Sequence, residues 1–481
     1  MGKALCVAIV LGLAGTAAAK GGAKIPISTK SNEARELFIK GRDLNEKLRA
    51  TDGRKLFEQA LEKDKDFAMA YVGLATTAGT TKEFFDAVEH AVTLAPKTTE
   101  AEQLVIRGLE AGGRGDLAHQ KEYYTKLTKQ FPDDERAQML LGGMYFGQQD
   151  YPNAIKYFEA AIKIDATFTA PYNQLGYAYR FTDKLADAEK TFKKYIELIP
   201  NDPNPYDSYG ELLMKTGRFD DSIKNYEKAL AIDSHFIASY VGIGNNQMFL
   251  GKFDAARASF AKLSAAARAD GERRQAVFWT AAAYVAQGDW NKAGVEADKL
   301  VEWSKKSGDL GQLANDLAFM GNLLLESGKA DAAATTFKQQ LETVEKAGIP
   351  ADNKATAKRT AIYNQGRIAL AKKDLKAAKA LSADYAKALT AKANPFEVRQ
   401  QHELAGAIAL AEKNFKVATG ELAKANQQDP RILYMQALAL EGAGDKPTAR
   451  AMAVKAGDFN ALNFNYAFIR GPAQALATKL K

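Results

Sequence analysis

Apolar positions recur at helical spacing from about Asn32 almost to the C-terminus, with Ser31 placed as the first helix cap. The stretch from Ala34 to Gly41 predicts one helix and Gly53 to Lys63 its antiparallel partner. Phe67 to Leu74 predicts the next, with Glu83 to Leu94 as partner and Pro96 as the stop. Between Ala137 and Leu263 this alternation becomes a strict repeat. Gly142, Gly176, Gly210 and Gly244 stand 34 residues apart. Twelve residues beyond each is a small side chain (Ala154, Ala188, Ser222, Ala256), and four further an aromatic (Phe158, Phe192, Tyr226, Phe260). A fourth column, Tyr151, Leu185, Phe219 and Phe253, keeps the same step, and Gly108, Leu117 and Tyr124 fall one step upstream. A fixed period of this length marks stacked helix pairs, none of which can bury its apolar stripe alone.

Beyond Leu263 the period loosens. Ser264 to Arg274 reads as an extended helix end plus a loop, after which pairs resume around Ala281, Gly321, Gly366 and Gly406. These steps of 37, 40, 45 and 40 residues predict longer helices. Ala437, Gly444 and Ala449 mark a last pair, and residues 459–481 a capping segment. The expected organisation is an N-terminal array over 31–269, a degenerate array over 270–458 with a sub-domain boundary near Asp270, and the cap.

The columns resemble those of the tetratricopeptide repeat. Leu175-Gly176, Tyr179, Ala188, Phe192 and Pro200 follow the family's pattern, with Tyr195 in place of its usual alanine. Leu141-Gly142, Tyr145, Ala154, Phe158 and Ala161 follow it as closely, without the closing proline. The resemblance implies an all-α fold, an α-solenoid wound as a right-handed superhelix of about twelve antiparallel helix pairs. It also implies that ligands lie along the first helix of each pair, on the concave face. Four rungs spaced i, i+4, i+7 share that face: Met139, Gly143, Phe146; Asn173, Tyr177, Arg180; Asp207, Glu211, Met214; and Val241, Asn245, Met248. Phe181 and Phe249 flank the same line. The binding residues expected on this surface are Met139, Phe146, Asn173, Tyr177, Arg180, Phe181, Met214, Asn245, Met248 and Phe249. Methionines and aromatics would supply adaptable apolar contact, and Asn and Arg orientation. Where some relatives grip a terminal carboxylate with Lys and Asn, this chain has Met139 and Gly143, Asn173 and Gln174, and Asp207 and Ser208. That clamp is absent.

Composition narrows the function classes. Hydrophobic residues make up 46% of the 481 and charged residues 26%, the balance of a folded chain. The formal charge of +8 is spread along the chain rather than gathered on one aromatic-lined face, which disfavours a nucleic-acid partner. Lys3, the apolar run Ala4 to Gly15 and Ala17-Ala18-Ala19 form the pattern of a cleaved secretory signal over 1–19, followed by a flexible leader over 20–30. The expected location is therefore outside the cytoplasm, periplasmic or else secreted. No later stretch approaches the length of a membrane-spanning apolar segment. Cys6, the only cysteine, lies inside the signal, so the mature chain has no disulfide and no thiolate.

Catalytic motifs appear only as near misses. His402-Glu403 begins a zinc-protease helix, but the second ligand position holds Gly406. Gly242-Ile243-Gly244 begins a dinucleotide loop, but Gln247 replaces its third glycine. Gly251-Lys252 lacks the upstream glycine and the following hydroxyl of a phosphate loop. The expectation is a non-enzymatic protein with no cofactor and no metal. It would serve as a scaffold or adaptor for a protein or extended peptide in the bacterial envelope. The alternative is a carrier of an apolar small molecule, such as a lipid, within the solenoid.

Overall fold

The computed structural model describes residues 24–389 and 393–481, so the expected signal segment lies outside the described residues. Among those described are twenty-five α-helices, one 3-10 turn and no strand. Twelve antiparallel pairs, each a helix A followed by a helix B, account for twenty-four of the helices. The first six are α1 (Asn32–Glu46) with α2 (Ala50–Lys63), α3 (Ala68–Thr76) with α4 (Thr81–Leu94), α5 (Glu100–Gly113) with α6 (Leu117–Gln130), α7 (Glu135–Gly147) with α8 (Tyr151–Ile164), α9 (Ala170–Phe181) with α10 (Leu185–Leu198), and α11 (Pro203–Lys215) with α12 (Phe219–Ile232). The next six are α13 (Ala238–Phe249) with α14 (Phe253–Ala266), α15 (Asp270–Gln287) with α16 (Trp290–Ser307), α17 (Leu310–Glu326) with α18 (Ala330–Lys346), α19 (Ala351–Ala371) with α20 (Leu375–Ala388), α21 (Pro395–Ala411) with α22 (Phe415–Leu422), and α23 (Pro430–Gly442) with α24 (Lys446–Gly457). α25 (Tyr466–Lys479) is the last described helix. The long steps read from the sequence are long helices: α15 and α16 have 18 residues each and α19 has 21.

The glycine and aromatic columns meet inside each pair. A Cβ at Gly176 would stand 2.5 Å from Cε1 of Phe192, at Gly142 2.7 Å from Cε1 of Phe158, and at Gly244 2.2 Å from Cε1 of Phe260. All three rings are completely buried. Lacking a side chain at that position, helix A lets the ring of helix B lie flat against its backbone. The same contact explains the apparent start of a dinucleotide loop. Gly242 makes room for Tyr226 of the preceding pair, whose Cζ would lie 2.1 Å from a Cβ there, while Gly244 makes room for Phe260. Acidic side chains cap the A helices: Asp134 accepts from the amides of Arg136 and Ala137, and Asp202 from that of Asn204.

Three expectations need correction. The loop read from Ser264 to Arg274 shrinks to residues 267–269, because α14 runs to Ala266 and α15 starts at Asp270. Nor does packing break at Asp270, since Phe260 and Leu263 share one apolar cluster with Ala276, Trp279 and Ala282. The flexible leader expected over 20–30 lies outside the described residues up to 23, and over 24–30 it is tied down by hydrogen bonds. Lys24 donates to the Asp133 carbonyl at 2.9 Å and pairs with Glu135. The amide of Ile25 donates to Asp134 (2.8 Å), that of Ser28 to Glu102 (2.7 Å), and that of Lys30 to Asp64 (2.9 Å). Carboxylates at the end of α2 and at the starts of α5 and α7 thus satisfy backbone donors that a loose leader would leave to water.

Successive A helices touch one another (α7 with α9, α11 with α13, α21 with α23), whereas successive B helices diverge, so helix A lies inside the curve. The curve closes on itself. Arg268, just ahead of the eighth pair, lies 3.1 Å from Asp52 of the first. A Cβ at Gly311 in the ninth pair would sit 2.7 Å from Thr81 of the second. Asn353 of the tenth donates to the Gly113 carbonyl of the third (3.2 Å), and Arg399 of the eleventh to the Gln148 carbonyl of the fourth (2.9 Å). Lys455 of the twelfth is 3.9 Å from Asp183 of the fifth. Each contact joins a pair to the one seven further on. One superhelical turn therefore takes seven pairs, and the second turn rests on the first.

Candidate binding surface on the concave face

In the first turn the expected rungs are mostly closed. Tyr177 donates to Glu211 (2.9 Å), which also pairs with Arg180 (2.9 Å). Ser208 donates to Asn173 (3.0 Å), and Ser239 to Asp207 (2.7 Å). These bonds run from one pair to the next, so the polar residues expected to orient a ligand instead tie neighbouring repeats together. Asn173 and Arg180 are only 3% and 4% exposed. Burial pushes the Asp207 carboxyl up to about 7 against the Ser239 hydrogen bond, with Glu211 adding to the rise. It also pushes the Tyr177 hydroxyl well above its ordinary value, helped by Glu211 and Asp207.

The apolar rungs further along are covered by the chain's own end. Tyr466, the first residue of α25, donates to Asn245 (3.1 Å), contacts the Met248 sulfur (3.3 Å) and packs edge-on against Phe249 with centroids 4.7 Å apart. Met214 is fully buried in the same cluster. Phe464 reaches further inward, 5.0 Å from both Phe278 and Phe319. The expected ligand residues Met214, Asn245, Met248 and Phe249 are thus occupied from within. Met139 and Phe146 stay partly exposed, and Phe146 joins Phe181 (5.9 Å) and Tyr151 (5.5 Å) in an aromatic cluster.

Beyond the cavity at Met139 and Gly143, the open part of the concave face lies in the second turn. Asn173, Tyr177 and Arg180 stand at −3, +1 and +4 from Gly176; the same offsets from Gly321, Gly366 and Gly406 give Ala318, Asn322 and Leu325; Tyr363, Arg367 and Leu370; and Glu403, Ala407 and Leu410. All but Leu410 line one of two adjoining cavities. The first, about 260 Å³, is walled by Leu325, Leu370, Leu404, Ala407, Met435 and, from α25, Ile469. The second, about 250 Å³, is polar, with Asn322, Asn364, Gln340 and Gln400. Arg367, Glu403 and Arg431 line both and form a charged bar between them. Arg431 pairs with Glu326 (3.0 Å), Asp429 (3.0 Å) and Glu403 (3.5 Å), and Arg367 donates to Asn322 (2.7 Å). Burial opposes the Arg431 charge, but the three carboxylates outweigh it and hold its pKa well above the ordinary value. The sequence carried this signal in the marked glycines, but the irregular steps between them hid the common register.

The histidines stand apart: His90 stacks on Tyr71, His119 contacts Asp116, His235 the Ala266 carbonyl, and His402 Glu421. Among the described residues no group of three or more His, Cys, Asp or Glu stands together to hold a metal, and no helix is long and apolar enough to cross a membrane.

Family models described as tetratricopeptide repeat match residues 107–167, and 170–202 with 204–236. No curated protein sequence matches the chain. Solved structures similar to it include MamA, with 26% identity over 32% of this chain and 91% of that one and a TM-score of 0.29. YrrB, described as a TPR protein with an unusual peptide-binding site, has 16% identity over 37% and 89%, with a TM-score of 0.26. A tetratricopeptide repeat protein from Parabacteroides merdae has 14% identity over 56% and 92%, with a TM-score of 0.35.

Proposed function

We propose that the chain, which matches tetratricopeptide-repeat models over residues 107–167, 170–202 and 204–236, is an exported, non-enzymatic scaffold of the bacterial envelope that binds a protein segment along the concave face of its second superhelical turn. The observation that carries this reading is the pair of adjoining cavities on that face, one apolar and one polar, divided by Arg367, Glu403 and Arg431. Apolar walls beside fixed charges suit a peptide that buries a hydrophobic side chain while its neighbours meet polar partners. Export rests on the pattern Lys3, Ala4–Gly15 and Ala17–Ala19. The apolar-carrier reading draws less support, because two of the three apolar residues it needs, Met214 and Phe249, already pack in one cluster with Tyr466, leaving only Phe146 partly exposed.

The test is native mass spectrometry of protein purified gently from its own compartment, beside selection from a random peptide library. A retained polypeptide, and selected peptides whose binding is lost in Ala407→Trp with helicity unchanged, are expected. A retained species of a few hundred daltons, or selected peptides indifferent to Ala407→Trp, would overturn the reading.

A further inference from the structure

Where the eleventh pair rests on the fourth, buried donors outnumber the acceptors that face them. Arg399 of α21 gives one N–H of Nη2 to the Gln148 carbonyl (2.9 Å) and lies over the Phe396 ring (5.1 Å). No carboxylate among the described residues pairs with it, and its Nη1 is buried with no hydrogen-bond partner. Gln148 Nε2 is buried and unpartnered as well. Arg180, in the neighbouring fifth pair, is only 4% exposed. Its Nη1 approaches Glu211 to 2.9 Å, out of line for a hydrogen bond, so both Nη1 and Nε keep unused N–H groups. Tyr151 links the set. Its ring stacks on Phe181 (4.9 Å), which lies under the Arg180 guanidinium (4.7 Å), and its hydroxyl feels the charges of both Arg180 and Arg399. Lys215 and Lys455 approach the same seam, facing Asp183.

Buried N–H groups without acceptors cost free energy, and a guanidinium removed from water without a counter-charge costs more. Unused donors from a planar guanidinium fork and an amide match the lone pairs of a carboxylate or phosphate. We propose that this seam binds a small oxyanion, held by Arg399 of the second turn and by Gln148 of the first. The spot is reachable. Gln148 lines a cavity of about 520 Å³ with Met139, Gly143 and Phe396, and Arg399 lines the polar second-turn cavity. Since its holders come from both turns, the bound anion also clamps the turns together. The site adjoins the surface of the peptide reading, since Arg399 lines its second cavity, but it is tested with phosphate at Arg399 and Gln148 whereas the peptide reading is tested at Ala407.

The test is a thermal melt of the full mature chain, titrated with inorganic phosphate at constant ionic strength. A saturable rise in melting temperature is expected, with apparent affinity about tenfold weaker in Arg399→Gln, the loss of one charge-assisted hydrogen bond. The exposed control Lys387→Gln should bind as the parent does. Arg399→Lys, which keeps the charge but loses the fork, and Gln148→Ala should each weaken binding, and they serve if Arg399→Gln does not fold. A parallel titration with acetyl-Gly-Glu-Gly-amide separates the sources: saturation that competes with phosphate identifies an acidic side chain, and saturation by phosphate alone a free anion. Absence of a saturable shift with either probe, or an equal shift in every Arg399 and Gln148 variant, overturns the proposal.

Discussion

Two glycines of one repeat family answer to opposite demands. Gly176 faces Phe192, whose ring atoms would lie 2.5–2.9 Å from a Cβ, and that ring is completely buried. Gly143, on the open side of α7, would meet nothing within 4 Å. Gly176→Ala is therefore expected to lose about 1–3 kcal/mol by overpacking, while Gly143→Ala gains about 0.5–1 kcal/mol from helix propensity. Paired urea melts followed by circular dichroism check both signs, and equal shifts would discard the assigned register. Asp207 makes a second prediction. Its folded pKa of about 7 lies above the unfolded carboxylate value, so between about pH 4 and 7 the folded state holds a proton that the unfolded state has released. Stability from this group is intact below that window and falls as pH rises through it. Asp207→Asn should flatten the fall in thermal midpoint between pH 4 and 8; an unchanged slope would mean the carboxyl is not the source.

At the scale of elements, both ends of the described chain cover surface that a ligand would otherwise see. Residues 24–30 lie over the end of α2 and the starts of α5 and α7 through Asp64, Glu102 and Asp134. Residues 459–481 fill the concavity, with Lys215 over the Phe459 ring (4.8 Å) and Arg470 over that of Phe249 (4.8 Å). Removing residues 459–481 should raise amide exchange across α13 and α15 and create binding of an apolar dye, without loosening α5 to α8. Protection of α13 unchanged by the truncation would show that the cap is not what closes the rungs. This occupancy is why the expected ligand residues were legible as an inward-facing stripe but not as a closed one: Tyr466 and Asn245 are 221 residues apart, beyond the reach of any periodicity.

For the whole molecule, the contrast is between apolar packing along the solenoid and polar contact across its turns. Neighbouring pairs share continuous clusters such as that of Phe260, Trp279 and Ala297. The turn-to-turn seam rests largely on Arg268–Asp52 (3.1 Å), Arg49–Asp233 (3.6 Å) and Lys455–Asp183 (3.9 Å), partly exposed pairs that salt screens and that contribute little singly. Asp52→Lys, which places like charge against Arg268 and Arg49, should open the first turn. X-ray scattering should then show a larger maximum dimension at unchanged helicity, whereas an identical profile would locate the closure elsewhere.

The all-α solenoid, its twelve pairs and the register of the first turn were determined by the sequence alone, because glycine, small residue and aromatic meet within one pair and leave their spacing in the chain. Tertiary structure alone decided that the turns touch after seven pairs, that α25 and residues 24–30 lie on the array, and that most of the open concave face belongs to the second turn. Those features come from a small rotation per pair, summed over hundreds of residues, which no local pattern records.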